Sequence, residues 1–545
     1  MYSKLLSQII KDQYDLDLVV PLSRPDAEFG DYATNIALQL AGRLKLPPRD
    51  IASTIADKLR AEALVGDVSV AGPGFINLTL SDAALLEETD QPVQPSRLDK
   101  TVVAETNNPN PFKAMHIGHA YNSIVADTIA RLVEIDGAKV YRVSYHGDIG
   151  LHVGKSMYSL LKYADGDFDK IAAIPTEKQN SFMSRMYAEG SSAYKTDESS
   201  KNEITELAEQ SFEPKSALYT RIYELCKTWS FNAIDETVAR LGNLPTVYRF
   251  LESETDARGV DVVKRNTPAV FQNSDGAWIF KGSQHGAFDN AFVSSKGRGL
   301  YAARDLGLML LKNEQFHPDE SYIITAEEQR DYFKGVIAAA GMIWPDQKGK
   351  TTNISTGTVK LSTGKMSSRE GDVVEIAWLF DQFAAAIKAR GGQPDTAIVA
   401  GAMRYQFLKV KIGSDVVFDI DEAVSLNGNT GSYLQYAHAR ASSILNKSTQ
   451  EIAATTEPKF NKSERSLVRK ISQYNDALAV SINDLSPHHM CTYLYELAQE
   501  FNRFYEKNQV IGDDQEAARL YIVKLYADTL QKGLSVLGIE PPGSM

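Results

Sequence analysis

The sequence predicts an α/β fold in which a parallel sheet forms the central domain, with a smaller α/β domain before it and an all-α domain after it. Residues 101–105 and 139–145 are apolar runs that are typical of buried strands. Between these runs, Ile124, Ile129 and Leu132 recur at the period of a helix, and Gly137 follows where helices commonly end. This order of strand, helix and strand predicts a βαβ unit.

The length and the composition of the chain divide it into several parts. Its 545 residues suffice for about three to four domains. A polar stretch with two prolines favours a linker, a charge-rich stretch favours an insertion into the α/β domain, and a helical pattern continues almost to the end. The predicted parts are an N-terminal domain, 1–86; a linker, 87–100; the first half of the α/β domain, 101–155; the insertion, 156–290; the second half, 291–375; a connection, 376–425; and a helical domain, 426–545.

Shorter patterns define elements within these parts. In the N-terminal domain, residues 36–44 and 51–59 predict helices, and residues 17–20 and 71–80 predict strands. After the insertion, residues 300–311 predict a helix and residues 321–324 a strand, which resumes the α/β pattern. Near the end of the chain, the apolar residues Leu494, Leu497, Phe501 and Phe504 follow the spacing of a buried helix face.

The bulk composition excludes several classes of protein. No apolar stretch approaches the roughly 18–20 residues of a membrane span, and residues 1–15 lack the core of a signal peptide. The two cysteines, Cys226 and Cys491, form neither a disulfide framework nor a zinc pattern. The net charge of −12 argues against general adhesion to nucleic acid, although a local basic patch could still bind RNA. We therefore expect a cytoplasmic protein without membrane or DNA partners.

A histidine-containing segment at the start of the predicted helix indicates a nucleotide site. Pro109 and Asn110 end the strand pattern, and His116, Gly118 and His119 stand at the beginning of the helix. A helix N-terminus presents free N–H groups to phosphate, glycine permits a close approach, and histidines donate hydrogen bonds. A single histidine is more often a surface or core residue, but two histidines around a glycine at this junction favour the phosphate site.

A second candidate segment follows about 250 positions later, between two glycines. Residues 363–372 contain Lys365, Met366 and Ser367, so the loop is cationic and rich in hydroxyl groups. Such a loop can cover a triphosphate and supply charge as pyrophosphate leaves. A turn of this kind is common on protein surfaces, and only its combination with the histidine segment makes it a strong indication.

The two segments together resemble the HIGH and KMSKS signatures of class I aminoacyl-tRNA synthetases and, more narrowly, those of the arginyl-tRNA synthetase family. Other stretches that resemble this family are residues 30–35, 71–77, 105–119, 147–150, 433–440 and 501–505, and the terminal Met545. The resemblance implies a Rossmann-like parallel sheet with a connective insertion. It also implies that the N-terminal domain contacts tRNA, that residues 376–425 contact its stem, and that the C-terminal helical bundle binds the anticodon.

The resemblance further implies a two-step reaction with ATP, L-arginine and tRNA(Arg). Arginine attacks the α-phosphate of ATP, and the arginyl group then passes to the 3′ end of the tRNA. The candidate catalytic residues are Lys113, His116, His119 and Lys365, and those that would bind ATP are Pro109, Asn110, His116, Gly118, His119, Lys365, Met366 and Ser367. No acidic cluster has the spacing of metal ligands, so we expect Mg²⁺ to arrive with ATP.

One departure from the class concerns a lysine. The second lysine of the KMSKS pattern is replaced by Ser368, which Arg369 follows. The resembled family often shows this loss and carries a compensating lysine just before its HIGH residues. Lys113 occupies that place, which makes it a catalytic candidate.

Selection of arginine requires acidic groups that can meet a planar guanidinium. Tyr301 and Asp305 are four residues apart on a predicted helix and share a face. The residues alone favour a first-turn helix role for Asp305 and a core position for Tyr301, whereas the resemblance described above favours the binding role. The full set of predicted arginine-binding residues is Glu105, Asn110, Glu252, Tyr301, Asp305 and Glu328. Whether Glu328 or Gln329 faces the substrate stays open, as does the role of His152.

Contacts with tRNA are expected at both ends of the chain. By resemblance, Phe75 and Asn77 would touch the tRNA elbow, and Tyr436 and Met545 would lie at the anticodon. Each aromatic residue of the last domain could instead be a core residue of a bundle. We expect a monomer in which arginine activation requires bound tRNA. The alternatives are a class I synthetase for another amino acid, a small-molecule nucleotidylyltransferase, and a non-catalytic tRNA-binding paralogue.

Overall fold

The first part of the chain forms a small α/β unit. The computed structural model describes residues 1–362, 374–450, 452 and 458–542. The elements of this unit are α1 (Tyr2–Tyr14), β1 (Tyr32–Thr34), α2 (Ile36–Leu44), α3 (Pro48–Leu59), β2 (Val65–Ala71), β3 (Phe75–Leu80) and α4 (Asp82–Glu88). The strands pair antiparallel in the order β1-β3-β2, and helices α1 to α3 pack their apolar faces against them.

Two strand predictions in this unit need correction. Residues 17–20 do not form a strand, because the polar groups of Val20 bond to helix α1. Its N–H donates to the hydroxyl of Ser7 at 3.3 Å, and its carbonyl accepts from the hydroxyl of Ser3 at 2.6 Å. Residues 71–80 contain a hairpin turn as well as a strand, since Gly72 and Gly74 have positive φ angles between β2 and β3.

The central domain contains a parallel sheet with helices on its faces. Its elements are β4 (Thr101–Glu105), α5 (Ile117–Ile135), β5 (Lys139–His146), α6 (Leu151–Ala164), α7 (Asp169–Ala172), α8 (Thr176–Thr196), α9 (Glu198–Gln210), α10 (Ala217–Arg240), β6 (Tyr248–Leu251), α11 (Glu252–Arg265), β7 (Phe271–Ser274), β8 (Ala277–Phe280), β9 (Asn290–Val293), α12 (Tyr301–Phe316), β10 (Glu320–Ala326), α13 (Arg330–Ile343), β11 (Thr351–Thr356) and β12 (Val359–Leu361). The sheet has five strands in the order β11-β10-β4-β5-β6, which confirms the predicted fold class.

The predicted insertion, residues 156–290, combines several kinds of structure. It contains helices α7 to α10 and a separate antiparallel sheet of β7, β8 and β9. It also contains β6, which belongs to the central sheet and pairs parallel with β5, so that Val143 lies opposite Tyr248. The chain therefore returns to the central sheet within the predicted insertion. The domain boundaries themselves stay a prediction.

The remainder of the chain is mostly helical. Its elements are α14 (Ile376–Ala389), α15 (Thr396–Leu408), β13 (Val416–Phe418), α16 (Ile420–Ala423), α17 (Gly431–Lys447), α18 (Lys462–Ser472), α19 (Tyr474–Asn483), α20 (His488–Lys507) and α21 (Glu516–Val536). The predicted apolar face of α20 is buried in this bundle. Within the described part of the chain, no helix is both long and apolar enough to cross a membrane.

The N-terminal unit docks on the helical domain through ion pairs. Arg465 of α18 donates to Asp31 at 2.6 Å, and Asp31 is almost fully buried. Arg24 bonds to Glu88 of its own unit at 3.0 Å and to Asp476 of α19 at 2.9 Å. These pairs place the first and last domains side by side.

Candidate active site

A cavity of about 700 Å³ lies at the carboxyl ends of β4, β5 and β10. Ligands of open α/β sheets bind at this edge, because the loops that leave the strands diverge there. The predicted site residues in the cavity wall are Glu105, Asn110, Lys113, His116, Gly118, His119, Glu252, Tyr301, Asp305 and Glu328. The fold therefore brings together residues that are more than 200 positions apart in the sequence.

The two histidines form one face of the cavity at the start of α5. The backbone N–H of His116 donates to Nδ1 of His119 at 3.3 Å, and the two rings stack with their centroids 3.7 Å apart. Because Nδ1 of His119 accepts, its proton lies on Nε2 in the neutral ring. A Cβ at Gly118 would lie 3.2 Å from the His116 ring, so a side chain there would crowd the stack.

Both histidines are neutral near pH 7. Burial and the nearby Lys113 lower the pKa of His116 to about 4. Burial also holds the pKa of His119 well below its ordinary value, with further lowering by His116 and Lys113. The rings can therefore donate hydrogen bonds to phosphate oxygens, while the positive charge on this side comes from Lys113.

The loop that follows β4 is fastened to the end of β5. The backbone N–H of Gly147 donates to Oδ1 of Asn110 at 2.8 Å, and Nδ1 of His146 lies 2.5 Å from the carbonyl of Pro109. The side-chain oxygen of Asn110 thus accepts a hydrogen bond within the protein, which leaves the N–H groups of its side-chain amide for a ligand. His152 supports the same turn, because its Nε2 lies 2.7 Å from the carbonyl of Gly147.

The chain that follows the second signature pairs with the histidine segment. Lys365, Met366 and Ser367 are outside the described residues, but the chain on both sides of them is described. The residues that follow pair with the histidine segment: the N–H of Ile117 donates to the carbonyl of Val374 at 2.9 Å, and the N–H of Ile376 donates to the carbonyl of Met115 at 3.1 Å. Residues 374–376 therefore lie directly next to the start of α5.

Two carboxylates of the cavity are paired with cations of the protein itself. Glu105 accepts from Lys312 at 2.7 Å, and both side chains are buried. Glu252 accepts from Arg304 at 2.8 Å, and Arg304 also donates to Asp256 at 2.8 Å. Buried charges need such partners because desolvation is costly. These two carboxylates are therefore largely neutralised before any substrate arrives.

Asp305 differs from the other two carboxylates. It accepts a hydrogen bond from the hydroxyl of Tyr332, and it pairs with no basic side chain in the described part of the chain. The pKa of Asp305 is raised to about 7, mainly by burial; the charges of Glu105 and Glu252 also raise it, while the hydrogen bond from Tyr332 and the charge of Lys312 lower it. Tyr301, one helical turn earlier, is 69% exposed and also reaches the cavity. Asp305 is thus a carboxylate in the cavity wall that forms no ion pair with a basic side chain of the described residues.

The remaining predicted contacts stay predictions. Glu328 and Gln329 are both exposed and both line the cavity, so the choice between them stays open. Phe75 is exposed on the N-terminal unit, whereas Asn77 is buried in β3. Tyr436 is partly exposed on α17, while its neighbours Leu434 and Ala437 are buried. Met545 lies outside the described residues.

Family profiles cover almost all of the chain. The profile described as "tRNA synthetases class I (R), catalytic domain" matches residues 81–391. The chain belongs to the arginyl-tRNA synthetase family. The profile "Arginyl tRNA synthetase N terminal domain" matches residues 2–80, and "DALR anticodon binding domain" matches residues 434–545. The family resemblance of the two signatures is thereby confirmed.

Relatives and solved structures agree with this assignment. The arginine–tRNA ligase of Frankia casuarinae is 30% identical, with 96% of this chain and 95% of the relative covered. That of Thermobifida fusca is 31% identical over the same shares. The Thermus thermophilus arginyl-tRNA synthetase superposes with a TM-score of 0.81 at 23% identity, covering 100% and 99% of the two chains. The Plasmodium falciparum arginyl-tRNA synthetase superposes with a TM-score of 0.77 at 19% identity, covering 100% of this chain and 98% of that chain. The two structures show that the fold of the family extends over the whole chain.

Sequence reasoning missed three residues that set the charges of this family site. Lys312 and Arg304 neutralise Glu105 and Glu252, and Tyr332 donates to Asp305. A signal for Lys312 was present, because it follows Asp305 at helical spacing on the face of α12 that carries Tyr301. Tyr332 had no such signal, since it stands on another helix and meets Asp305 only in the folded chain.

Proposed function

We propose that this protein is an arginine–tRNA ligase that activates L-arginine with ATP and transfers it to tRNA(Arg). Asp305 is the observation that supports arginine most directly, because it is a cavity carboxylate without a basic partner among the described residues. A planar guanidinium can donate two parallel hydrogen bonds to such a carboxylate. Tyr301, on the same face of α12, would lie beside the bound side chain.

The opposite side of the cavity has the chemistry that adenylate formation requires. A carboxylate oxygen of arginine forms a bond to the α-phosphorus of ATP, and pyrophosphate leaves with the bonding electron pair. The protein aligns the two groups and stabilises the negative charge on the phosphate oxygens. We assign the donation of hydrogen bonds to His116 and His119, and positive charge to Lys113 and Lys365. Mg²⁺ would enter as part of the substrate ATP.

The amino-acid end of the substrate would lie at the loop after β4. The amide of Asn110 is oriented by Gly147, and Glu105 is the predicted partner of the substrate ammonium. Both oxygens of Glu105 already accept hydrogen bonds, one from Lys312 and one from Asn108 at 2.8 Å. A carboxylate has about four lone-pair sites, so a further ammonium contact remains available. In the second step a terminal ribose hydroxyl of the tRNA attacks the arginyl carbonyl, and AMP leaves.

The decisive experiment is the charging of unfractionated tRNA with each labelled amino acid in the presence of MgATP. We expect arginine to be attached at least 100-fold faster than any other amino acid. Faster charging with another amino acid would show a synthetase of different specificity. An absence of charging, together with binding of tRNA, would show a non-catalytic paralogue.

The role of Lys113 is tested by replacing it with alanine. We expect Lys113→Ala to lower kcat by about 10²-fold, with KM for ATP changed less than threefold, because the charge acts mainly in the transition state. Lys360→Ala, which removes an exposed lysine of β12 with a partner in Asp415, is the control and should retain wild-type kcat. An unchanged kcat with a raised KM in Lys113→Ala would assign Lys113 to ground-state binding only.

We also propose that the enzyme acts as a monomer in the cytoplasm. The first and last domains already bury their charged faces against each other within one chain, through Arg465 and Asp31. Sedimentation equilibrium at micromolar concentration tests this proposal, and a mass of twice 60.1 kDa would contradict it.

A further inference from the structure

Arg404, in the middle of α15, is a fully buried guanidinium. Its five hydrogen bonds join parts of the chain that are far apart in the sequence. The acceptors are the carbonyl of Leu537 at 2.8 Å, the carbonyl of Leu241 at 3.0 Å, Oδ1 of Asn243 at 2.5 Å, Oδ2 of Asp127 at 2.9 Å and Oγ1 of Thr128 at 3.1 Å. One side chain thus contacts α5, the turn after α10 and the chain that follows α21.

Asp127 is the charged partner of Arg404 on α5. Burial alone would raise the pKa of Asp127, but Arg404, Arg131 and the backbone N–H of Leu244 outweigh it, so the pKa lies below its ordinary value. Burial lowers the pKa of Arg404 to about 10, which still leaves the guanidinium charged at pH 7. The contact is therefore an ion pair in the interior, and its loss would leave an uncompensated charge there.

The C-terminal side of this junction is packed against the guanidinium without space for a side chain. Gly538 has a φ angle of +68°, and a Cβ there would overlap Nη2 of Arg404. The same terminal stretch is held by α17, because Nε2 of Gln435 donates to the carbonyl of Glu540 at 2.9 Å. Gln435 is the neighbour of Tyr436, a predicted tRNA contact. Residues 537–540 therefore touch α17 on one side and Arg404 on the other.

Helix α5 carries the chemistry at its other end. His116 and His119 stand at its start, and Asp127 lies ten residues after Ile117, which corresponds to about 15 Å along the helix axis. A helix of this length moves nearly as a rigid body. A displacement at Asp127 would therefore also displace the two histidines relative to the cavity.

We propose that Arg404 is a positioning residue that couples the docking of residues 537–540 to the placement of His116 and His119. The proposal rests on the proposed arginine–tRNA ligase activity for its kinetic readout. It assigns to Arg404 a role that a lysine cannot fill, because the guanidinium bonds to five acceptors in three directions. Arg404 acts through α5 and does not line the cavity.

The test compares two glycine substitutions with similar backbone strain. The new Cβ of Gly538→Ala would overlap the guanidinium of Arg404. Gly428 has a φ angle of +88°, and the Cβ of Gly428→Ala would have no atom within 4 Å. We expect Gly538→Ala to lower kcat for charging by about tenfold or more, with KM for arginine and ATP changed less than twofold. Gly428→Ala should retain wild-type kcat. Equal kcat values in the two variants would overturn the proposal.

A second readout is independent of the activity. Hydrogen exchange of the backbone amides in the first two turns of α5 should be at least threefold faster in Gly538→Ala than in Gly428→Ala under native conditions. Faster exchange confined to α21 would show a local effect only and would overturn the coupling. If the wild-type protein fails to charge arginine, the proposed function is wrong, while the exchange measurement still decides the coupling.

Arg404→Lys separates charge from geometry. We expect this variant to keep its charge and to fold, as near-ultraviolet circular dichroism would show, but to lose kcat by about tenfold. If Arg404→Lys is folded and has wild-type kcat, charge alone suffices and the positioning role is wrong. If Arg404→Lys does not fold, the comparison of Gly538→Ala with Gly428→Ala decides whether the coupling exists.

Discussion

Two aspartates of the central domain show how the same residue type serves two purposes. Asp127 on α5 is fully buried, bonds to Arg404 and Arg131, and has a lowered pKa. Asp305 on α12 lies in the cavity wall, bonds to a tyrosine hydroxyl, and has a pKa raised to about 7. The first carboxylate is paired with cations of the protein, whereas the second forms no ion pair with a basic side chain of the described residues. A buried acid without a cation indicates a binding site more clearly than burial alone.

The neighbours of Asp305 strengthen this contrast. Lys312 and Arg304 belong to the same helix as Asp305, and they neutralise Glu105 and Glu252 on the two sides of the cavity. The helix thus supplies two cations and one carboxylate that pairs with no basic side chain among the described residues. A substrate guanidinium would complete the set of charges.

The largest effect is expected from Asp305→Asn. The amide cannot supply the charge that the guanidinium meets, so kcat/KM for arginine should fall by about 10³-fold. Steady-state charging at saturating ATP and tRNA measures this ratio, and urea unfolding should show no loss of stability. Asp331→Asn, which removes an exposed carboxylate of α13 that pairs with Lys334, is the control and should behave as wild type. A loss below tenfold in Asp305→Asn would exclude Asp305 as the guanidinium partner.

Asp127→Asn is expected to lower the stability of the protein, unlike Asp305→Asn. This change leaves Arg404 buried without its carboxylate, so the free energy of unfolding should fall by about 3 kcal/mol. Urea unfolding monitored by circular dichroism measures the loss. A variant as stable as wild type would show that the two aspartates do not differ as described.

Asp305 and Asp127 should change the stability of the protein in opposite directions as the pH rises. Asp305 binds a cation only when ionised, so KM for arginine should rise about tenfold per pH unit as the pH falls below about 7. The free energy of unfolding depends on the same group. Because the pKa of Asp305 is raised in the folded state, Asp305 lowers this free energy as the pH rises from about 4 to about 7. Asp127 has a lowered pKa, so its contribution is lost only as the pH falls below the ordinary range of aspartate. The stability of Asp305→Asn relative to wild type should therefore increase with pH, and a flat difference would contradict this assignment.

The smallest effect is expected from Tyr332→Phe. The hydroxyl of Tyr332 stabilises the ionised form of Asp305, so its removal should shift the pH profile of KM upward by less than one unit. At pH 8.5, where Asp305 is ionised in both proteins, KM should rise only a few-fold. A shift to lower pH would show that the hydroxyl favours the protonated acid.

The elements around the first signature could be predicted because their causes are local. The strand at 101–105, the helix start at His116 and the strand from Lys139 follow from apolar periodicity and from glycine and proline positions. The pairing of Tyr301 with Asp305 on one helix face is likewise a matter of spacing. Residues 17–20 show the limit of such patterns, because side-chain hydroxyls on α1 take the bonds that a neighbouring strand would have made.

The sequence by itself determined the fold class, the family and the segments that carry the chemistry. Only the tertiary structure decided which charges meet, since Lys312 and Glu105 are 207 positions apart and Arg404 and Asp127 are 277 apart. Local patterns report on neighbours along a helix or strand, whereas the protonation of a carboxylate depends on desolvation and on the charges that folding brings within a few ångströms. For that reason the family resemblance predicted an arginine-binding role for Asp305, but the structure was needed to show that no basic side chain of the described residues forms an ion pair with it.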